Sequence, residues 1–389
     1  MNIPTPDGLF NNENFTENIR EPQPTRTPTQ EYVLHAMPDA LRMVKEGTLS
    51  YAQLRQSQAA LLDNAAESIL GNTDERTALV TQLDLAFMLG GYLPSGSDAY
   101  VNAPSQLLAL LDYQAETFNL PNRMDYELII DVNTEEFNTT GHMRTYLNGP
   151  DAQSERDFYL GHHVSESYLK QVASSLDGIV VGDITGADIQ PTLQTAQQNL
   201  KLFREYMAAY MRLSATVFDT SLRPYLATYP DGIRNASGAF MPSVQLTELA
   251  LHAPTEQQTK YIDMALPYFP RATRAKIENA HQQSLSGKNL ADMITAGDLS
   301  LDRESTNMLN AIVEEFITFR TTHLAVVRHK IPQAFVEDAG PKSRQQFAAF
   351  GEPDIMADGE KGTADFHIVN FLAGSVHRLI QAKRQLDTD

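Results

Sequence analysis

The sequence contains no cysteine among its 389 residues. Disulfides, thiolate-ligated iron–sulfur clusters and cysteine-rich zinc sites are therefore excluded, as is a haem whose axial ligand is a cysteine thiolate. The lack of disulfides fits a cytoplasmic protein, and that location is expected.

Basic residues are fewer than acidic ones: the chain has 30 Lys and Arg and 49 Asp and Glu, which gives a formal net charge of -19. This balance argues against nucleic acid, whose phosphates need clustered Lys and Arg, and against an anionic membrane surface. Long apolar runs are also missing, since none reaches the roughly 18 residues that suggest a membrane span. The amino terminus lacks the basic, apolar and small-residue order of a secretory signal, so none is expected.

What is present is typical of a globular protein, with 42% hydrophobic and 20% charged residues in a chain long enough for two packed units. Residues 1–30 are rich in Pro, Thr and Asn and are expected to form an extended arm. The pattern predicts a small, mostly helical domain over 31–150 with a little β-structure, a strand at 126–133. A loop at 138–150 leads to a large all-helical domain over 151–389, so the expected fold class is mainly α.

Helical spacing of apolar residues supports this division. In the first domain it predicts helices at 40–44, 51–70 and 76–89. In the second it predicts helices at 158–176, 189–217, 241–251, 256–264, 272–284, 304–332 and 366–386.

The helix predicted at 304–332 carries an apolar stripe that a histidine interrupts. The stripe consists of Leu309, Ile312, Phe316, Phe319, His323 and Val327. An inward-facing imidazole at 323 needs a polar partner, or it can bind a metal such as haem iron. Arg320, one turn earlier, would then meet an anion bound beside it. The alternative is a core histidine that bonds a carbonyl, with Arg320 in a salt bridge.

Each of three other groups of residues can be interpreted either as part of a functional site or as an ordinary structural feature. Arg223 can clamp a carboxylate or form a surface salt bridge. The small residues Ser237, Gly238 and Ala239 admit a flat ligand close to the backbone, or form a simple turn. His162 and Glu166 share a helix face, where they can ligate a metal, act as acid and base, or face solvent.

Two segments resemble the indoleamine 2,3-dioxygenase superfamily in sequence. Phe319–Leu324, FRTTHL, resembles its F/L-R-x-x-H-L segment, in which the histidine is the proximal haem ligand and the arginine lies near a haem propionate. Phe218–Leu226, FDTSLRPYL, resembles its F-x-x-x-L-R-x-Y-L segment. That likeness implies that Phe218 packs on the substrate ring and that Arg223 holds the substrate carboxylate.

Shorter segments continue the resemblance. Ala236–Ser243, ASGAFMPS, is similar to the small-residue loop of the superfamily, and Phe158–Leu160 is similar to its distal F-F-L helix. The second likeness implies that Phe158 lies over the substrate and that His162 occupies a distal-pocket position. Gly362 and Thr363 resemble the start of the mobile G-T-G-G-T loop but lack its inner glycines.

One branch of the superfamily is especially similar, that of monodechloroaminopyrrolnitrin synthase, which rearranges a halogenated tryptophan. The segments Leu222–Pro224, Gly238–Pro242 and Arg144–Tyr146 resemble it. The superfamily is therefore indicated more strongly than simple ring opening of tryptophan.

The resemblance implies an oxygenase that uses haem b and O2 on an aromatic amino acid or a derivative, with either dioxygenation or oxidative rearrangement of the ring. The implied roles are haem binding by His323, Arg320 and Ser237, with Glu248 bracing Arg320; substrate binding by Phe158, Phe218, Arg223, Gly238 and Ala239; and catalysis by His162, Arg223 and Thr363. Two alternatives stay open: a non-catalytic helical protein that binds haem or another ligand, and a non-haem metal enzyme that uses His162 and Glu166.

Overall fold

The structure of the protein is a computed structural model that describes residues 27–210, 217–227, 229–230, 241–266, 269–330 and 379–384. Within these ranges it describes only the backbone of 208–210, 218–219, 257, 261, 264 and 323–330. Of the predicted arm over 1–30, only residues 27–30 fall inside the description, and Thr29 is fully buried there.

Helices are the regular elements throughout the described chain, which contains no strand, so the predicted mainly α class is confirmed. The α-helices are α1 (Met37–Lys45), α2 (Tyr51–Leu70), α3 (Glu75–Gly90), α4 (Ala99–Asn102), α5 (Ser105–Phe118), α6 (Asn133–Thr140), α7 (Gly149–Val180), α8 (Ile189–Tyr210), α9 (Pro242–Leu251), α10 (Glu256–Ala265), α11 (Arg271–Leu285), α12 (Leu290–Ala296) and α13 (Arg303–Lys330). Short π-helical segments lie at Tyr32–Ala36, Leu128–Val132 and Val217–Leu222, and 3₁₀ turns at Leu93–Asp98, Gly186–Asp188 and Arg223–Leu226. Residues 379–384 are also helical.

The strand predicted at 126–133 is wrong, because this segment is helical and continues into α6. Leu128, Ile129 and Ile130 are all buried, and a short apolar run with both faces buried looks the same in a strand and in a buried helix. The Asp125 carboxylate accepts the backbone N–H of Leu128 at 2.8 Å and so caps the N-terminus of this helical segment. The sequence analysis did not predict this cap.

The chain divides into two compact units, each made of several segments. The first comprises Met1–Val164, Met207–Phe240 and Tyr268–Arg271, and the second comprises Ser165–Tyr206, Met241–Pro267 and Ala272–Asp389. The division falls inside α7. The predicted domain limits at residues 30 and 150 stay predictions.

The core of the first unit is built around α3, in which every residue from Val80 to Gly90 is buried. The core of the second unit includes the apolar stripe of α13, where Leu309, Ile312 and Phe316 are buried. Phe203 of α8 packs edge-on against Phe319 of α13, with ring centroids 4.8 Å apart. None of the described helices is long and apolar enough to cross a membrane.

Candidate functional site

Arg320 on α13, in the second unit, is a buried arginine whose side chain is only 4% exposed. Its Nε donates to Oε1 of Glu248 on α9 at 2.8 Å, and its Nη2 lies 2.7 Å from the same oxygen. Gln258 of α10 donates to Oε2 of Glu248 at 3.4 Å. The bracing contact between Arg320 and Glu248 that was expected from the sequence is therefore present.

Two aromatic rings complete the surroundings of the Arg320 guanidinium. Its central carbon lies 5.7 Å from the ring centroids of both Phe316 and Phe319. A cation over aromatic faces is attracted by the ring quadrupole, and a carboxylate partner offsets its loss of hydration. The side chain is thus fixed in direction by three neighbours, one turn of helix before position 323.

Position 323 lies on the helical backbone of α13, seven residues after Phe316, so the two positions share one face of the helix. The side chain of His323 lies outside the described residues. Its predicted role as a haem ligand stays a prediction.

Phe158 and His162 lie one turn apart on α7 in the first unit, with ring centroids 4.3 Å apart. The Nδ1 atom of His162 is 3.0 Å from the carbonyl oxygen of Phe158, and because a carbonyl can only accept, Nδ1 carries the proton. In the neutral ring, Nε2 is then the nitrogen that can accept a proton. The ring of Tyr126 lies edge-on to His162 with ring centroids 5.9 Å apart, so two aromatic rings contact the imidazole.

Arg223 opens a 3₁₀ turn at the end of the π-helical segment that holds Phe218, and it belongs to the same unit as Phe158 and His162. Its side chain is half-buried. Two residues later, Tyr225 stacks on Tyr146 with centroids 4.9 Å apart and an angle of 4° between the rings. This stack anchors the turn that carries Arg223.

Several predicted residues fall outside the description. They are Ser237, Gly238, Ala239 and Thr363, and only the backbone is described for Phe218 and His323. Their predicted roles stay predictions.

Glu166 does not face solvent, because it is fully buried and accepts the hydroxyl of Ser243 at 3.0 Å. His281, the histidine of a Glu-x-x-His pair on α11, is also buried, and its Nε2 lies 3.2 Å from the hydroxyl of Thr259. Burial lowers the pKa of His281, which favours its neutral form. In the ranges that the structure describes, no three His, Asp or Glu side chains are grouped so that they could hold a metal ion.

A buried carboxylate of α7 was missed by the sequence reasoning. Glu155 accepts the backbone N–H groups of Tyr146 and Leu147 at 2.9 and 2.8 Å and the hydroxyl of Tyr159 at 2.6 Å. Complete burial is the largest cause that raises its pKa, to about 7, although these three hydrogen bonds oppose the shift. The spacing of Glu155 and Tyr159 by four residues on one helix was the signal that could have revealed the pair.

A second missed group is the buried ion pair of Arg144 and Asp84. The Nε of Arg144 donates to Oδ1 of Asp84, and both side chains are fully buried. The hydroxyls of Thr27 and Thr29 donate to the other Asp84 oxygen, Thr29 at 2.9 Å. Asn133 clamps the backbone of Arg144 through both its amide oxygen and its amide nitrogen, each at 3.0 Å. This cluster holds the segment before α7 in place.

No family model matches the chain, and no curated protein matches it.

Proposed function

We propose that the protein is a haem b-dependent oxygenase that acts with O2 on an aromatic, tryptophan- or indole-like amino acid or a derivative of one. The observation that supports this most is the buried Arg320, held by Glu248 and two phenylalanine rings one turn before His323 on α13. A buried arginine is costly to keep without a partner, and Glu248 is that partner. The salt bridge also agrees with the alternative of a core histidine beside a paired arginine, and what it adds to the proposal is a cation held one turn before His323.

These residues fit haem b in their chemistry. Haem carries anionic propionates, and Arg320 offers a rigid guanidinium of the kind that binds a carboxylate well. The chain has no cysteine, and histidine is the side chain that most often holds haem iron. In this proposal His323 would hold the iron and Arg320 would face a propionate. When bound, the haem iron supplies the activation of O2.

The other residues bind and orient the substrate. Arg223 pairs with its carboxylate, and the ring of Phe158 provides an apolar face for the aromatic ring. His162, with its Nδ1 proton held by the carbonyl of Phe158, presents Nε2 as the atom that accepts a proton from the substrate. Phe218 packs on the same ring. Insertion of both atoms of O2 consumes no net electrons, so this chemistry requires no reductase.

The first test is the absorption spectrum of the full chain supplied with haem, in the ferric, ferrous and ferrous–CO forms. We expect one haem per chain with a histidine-ligated Soret band in the wild type, and loss or shift of that band in His323→Ala. The control is His35→Ala, since the His35 side chain is 58% exposed, and its spectrum should match the wild type. Absence of stoichiometric haem, or an unchanged spectrum of His323→Ala, would refute the haem assignment.

The second test concerns the substrate. The haem-loaded protein is titrated with tryptophan, tyrosine and halogenated indoles, and Arg223→Ala should abolish the spectral response to the amino acids while it retains haem. Arg42→Ala is the matched control, because Arg42 makes an exposed pair with Glu46 at 2.9 Å. Normal titration of Arg223→Ala would remove Arg223 from the substrate site. Haem without any response to aromatic ligands would favour a plain haem carrier.

A further inference from the structure

Tyr159 of α7 is a fully buried tyrosine whose hydroxyl donates to a carboxylate. The distance from its hydroxyl oxygen to Oε1 of Glu155 is 2.6 Å, which is in the range of short hydrogen bonds between a hydroxyl and an ionised acceptor. Glu155 is itself fully buried. Both members of this hydrogen-bonded pair are therefore shielded from water.

Loss of one electron makes a phenol strongly acidic, so a buried tyrosine is readily oxidised only if a nearby base takes its proton. Tyr159 has such a base in direct contact. The buried hydroxyl of Tyr146 has no hydrogen-bond partner in the part of the chain that the structure describes. Tyr113 donates to the backbone carbonyl of Leu70, which is too weak a base to accept the proton.

Glu155 is suited to hold the proton. Above pH 7 Glu155 is ionised and can take the proton, and burial, which raises its pKa to about 7, makes it bind that proton more tightly than an ordinary carboxyl does. The N–H groups of Tyr146 and Leu147 keep its two oxygens in place before and after the transfer. Because the chain has no tryptophan and no cysteine, tyrosine is its most easily oxidised side chain in one-electron steps.

We propose that Tyr159 and Glu155 form a proton-coupled redox site. Tyr159 gives one electron to a high-potential one-electron oxidant and its phenolic proton to Oε1 of Glu155, which yields a neutral tyrosyl radical, a protonated Glu155 and the reduced oxidant. An external one-electron reductant reverses the step, and the proton returns from Glu155 to the phenolic oxygen.

A haem bound as in the proposed function would be one source of such an oxidant, and only this point rests on the proposed function. The ring of Tyr159 lies 5.8 Å from that of Phe158, the residue assigned to the face of the substrate. Because Tyr159 follows Phe158 directly in the chain, a radical on Tyr159 would lie close to the ring of Phe158 and would be shielded from water.

The test uses the full chain without added haem, so that its result is independent of haem binding. Flash-quench oxidation with a ruthenium tris-bipyridine sensitiser generates the oxidant, and electron paramagnetic resonance of frozen samples detects the radical. A persistent tyrosyl signal is expected in the wild type and in Tyr113→Phe, and it should be lost in Tyr159→Phe. The same persistent signal in Tyr159→Phe would overturn the proposal.

Glu155→Gln tests the proton acceptor, because an amide accepts a hydrogen bond but does not take the proton. Loss of the persistent signal is expected, with circular dichroism used to confirm that the variant is folded. If the variant does not fold, the rate of radical formation in the wild-type protein is measured in H2O and in D2O instead. The rate should be lower in D2O, and equal rates would contradict a coupled proton transfer. If these tests succeed but the protein binds no haem, the proposed redox site stands and the proposed oxygenase function is refuted.

Discussion

At the scale of single residues, burial changes the chemistry of identical side chains. Glu155 and Glu248 are both buried carboxylates, but Glu248 meets the guanidinium of Arg320, whereas Glu155 meets only N–H and O–H donors. A charged partner offsets the loss of hydration directly, and neutral donors do so only in part. Glu155 therefore keeps a raised pKa, although three groups donate to it.

This difference predicts a pH dependence of stability that belongs to Glu155. Its pKa is about 7 in the folded chain against an ordinary value of 4.5, so between these values the unfolded chain has released the proton and the folded chain still holds it. The stabilising contribution is fully present below pH 4.5 and is lost as the pH rises through 7, with a slope of up to about 1 kcal/mol per pH unit.

Urea unfolding of the wild type and Glu155→Gln across this pH range measures the effect. The free energy of unfolding of the wild type should fall relative to that of the variant as the pH rises. A constant difference between the two proteins would show that Glu155 does not titrate in this window.

At the scale of elements, the C-terminus of α3 can lie close to Tyr146 because its last residue is a glycine, which has no side chain. Gly90 is the last residue of α3, and a Cβ atom there would overlap the hydroxyl of Tyr146 and lie 2.8 Å from its Cζ. Tyr146 has little room to move, because its ring lies 4.7 Å from that of Phe87 and is stacked on Tyr225. The glycine is thus explained by packing, since its backbone has an ordinary helical conformation.

We expect Gly90→Ala to be destabilising by about 1–3 kcal/mol, the usual range for overpacking, although alanine is the better helix former. The same substitution in a Tyr146→Phe background should cost less, because the overlapping hydroxyl is gone. Equilibrium unfolding of the four proteins in this double-mutant cycle measures the coupling. Additive effects would show that Tyr146 is not the obstacle.

Periodicity predicted several helices closely and missed others. The helices α5, α6 and α12 were not predicted, α7 begins at Gly149 instead of at 158, and both ends of the loop predicted at 138–150 are helical. The helix predicted at 51–70 has those limits in the structure, and the one predicted at 304–332 is observed as α13, Arg303–Lys330. Both have a long amphipathic pattern that strands cannot reproduce. The segment 126–133 is short and apolar on every face, so its pattern favours neither state, and burial against the rest of the first unit decides it.

At the scale of the whole molecule, the excess of acidic residues is the dominant long-range property. A formal net charge of -19 produces self-repulsion in the compact state that is weaker in the expanded chain. Salt screens this repulsion over distances of roughly 10 Å at 0.1 M ionic strength.

We therefore expect the urea midpoint at neutral pH to rise when NaCl is raised from a few millimolar to about 0.1 M, where the screening length falls to roughly 10 Å. The control is the same comparison near the isoelectric point of about 4.9, where the net repulsion and hence the rise should vanish. A urea midpoint that does not change with NaCl concentration at neutral pH would show that opposite charges are paired well enough to cancel the repulsion.

The sequence by itself determined the helical class, the limits of α2 and most of α13, the acidic balance and the exclusion of cysteine chemistry. Each of these depends on composition or on contacts within one turn of helix. Only the tertiary structure decided that Arg320 meets Glu248, that Tyr146 stacks on Tyr225 and that Glu155 is sealed from water. These partners lie far apart along the chain, or acquire their chemistry from burial, and no local pattern encodes which distant residues will pack together or exclude water.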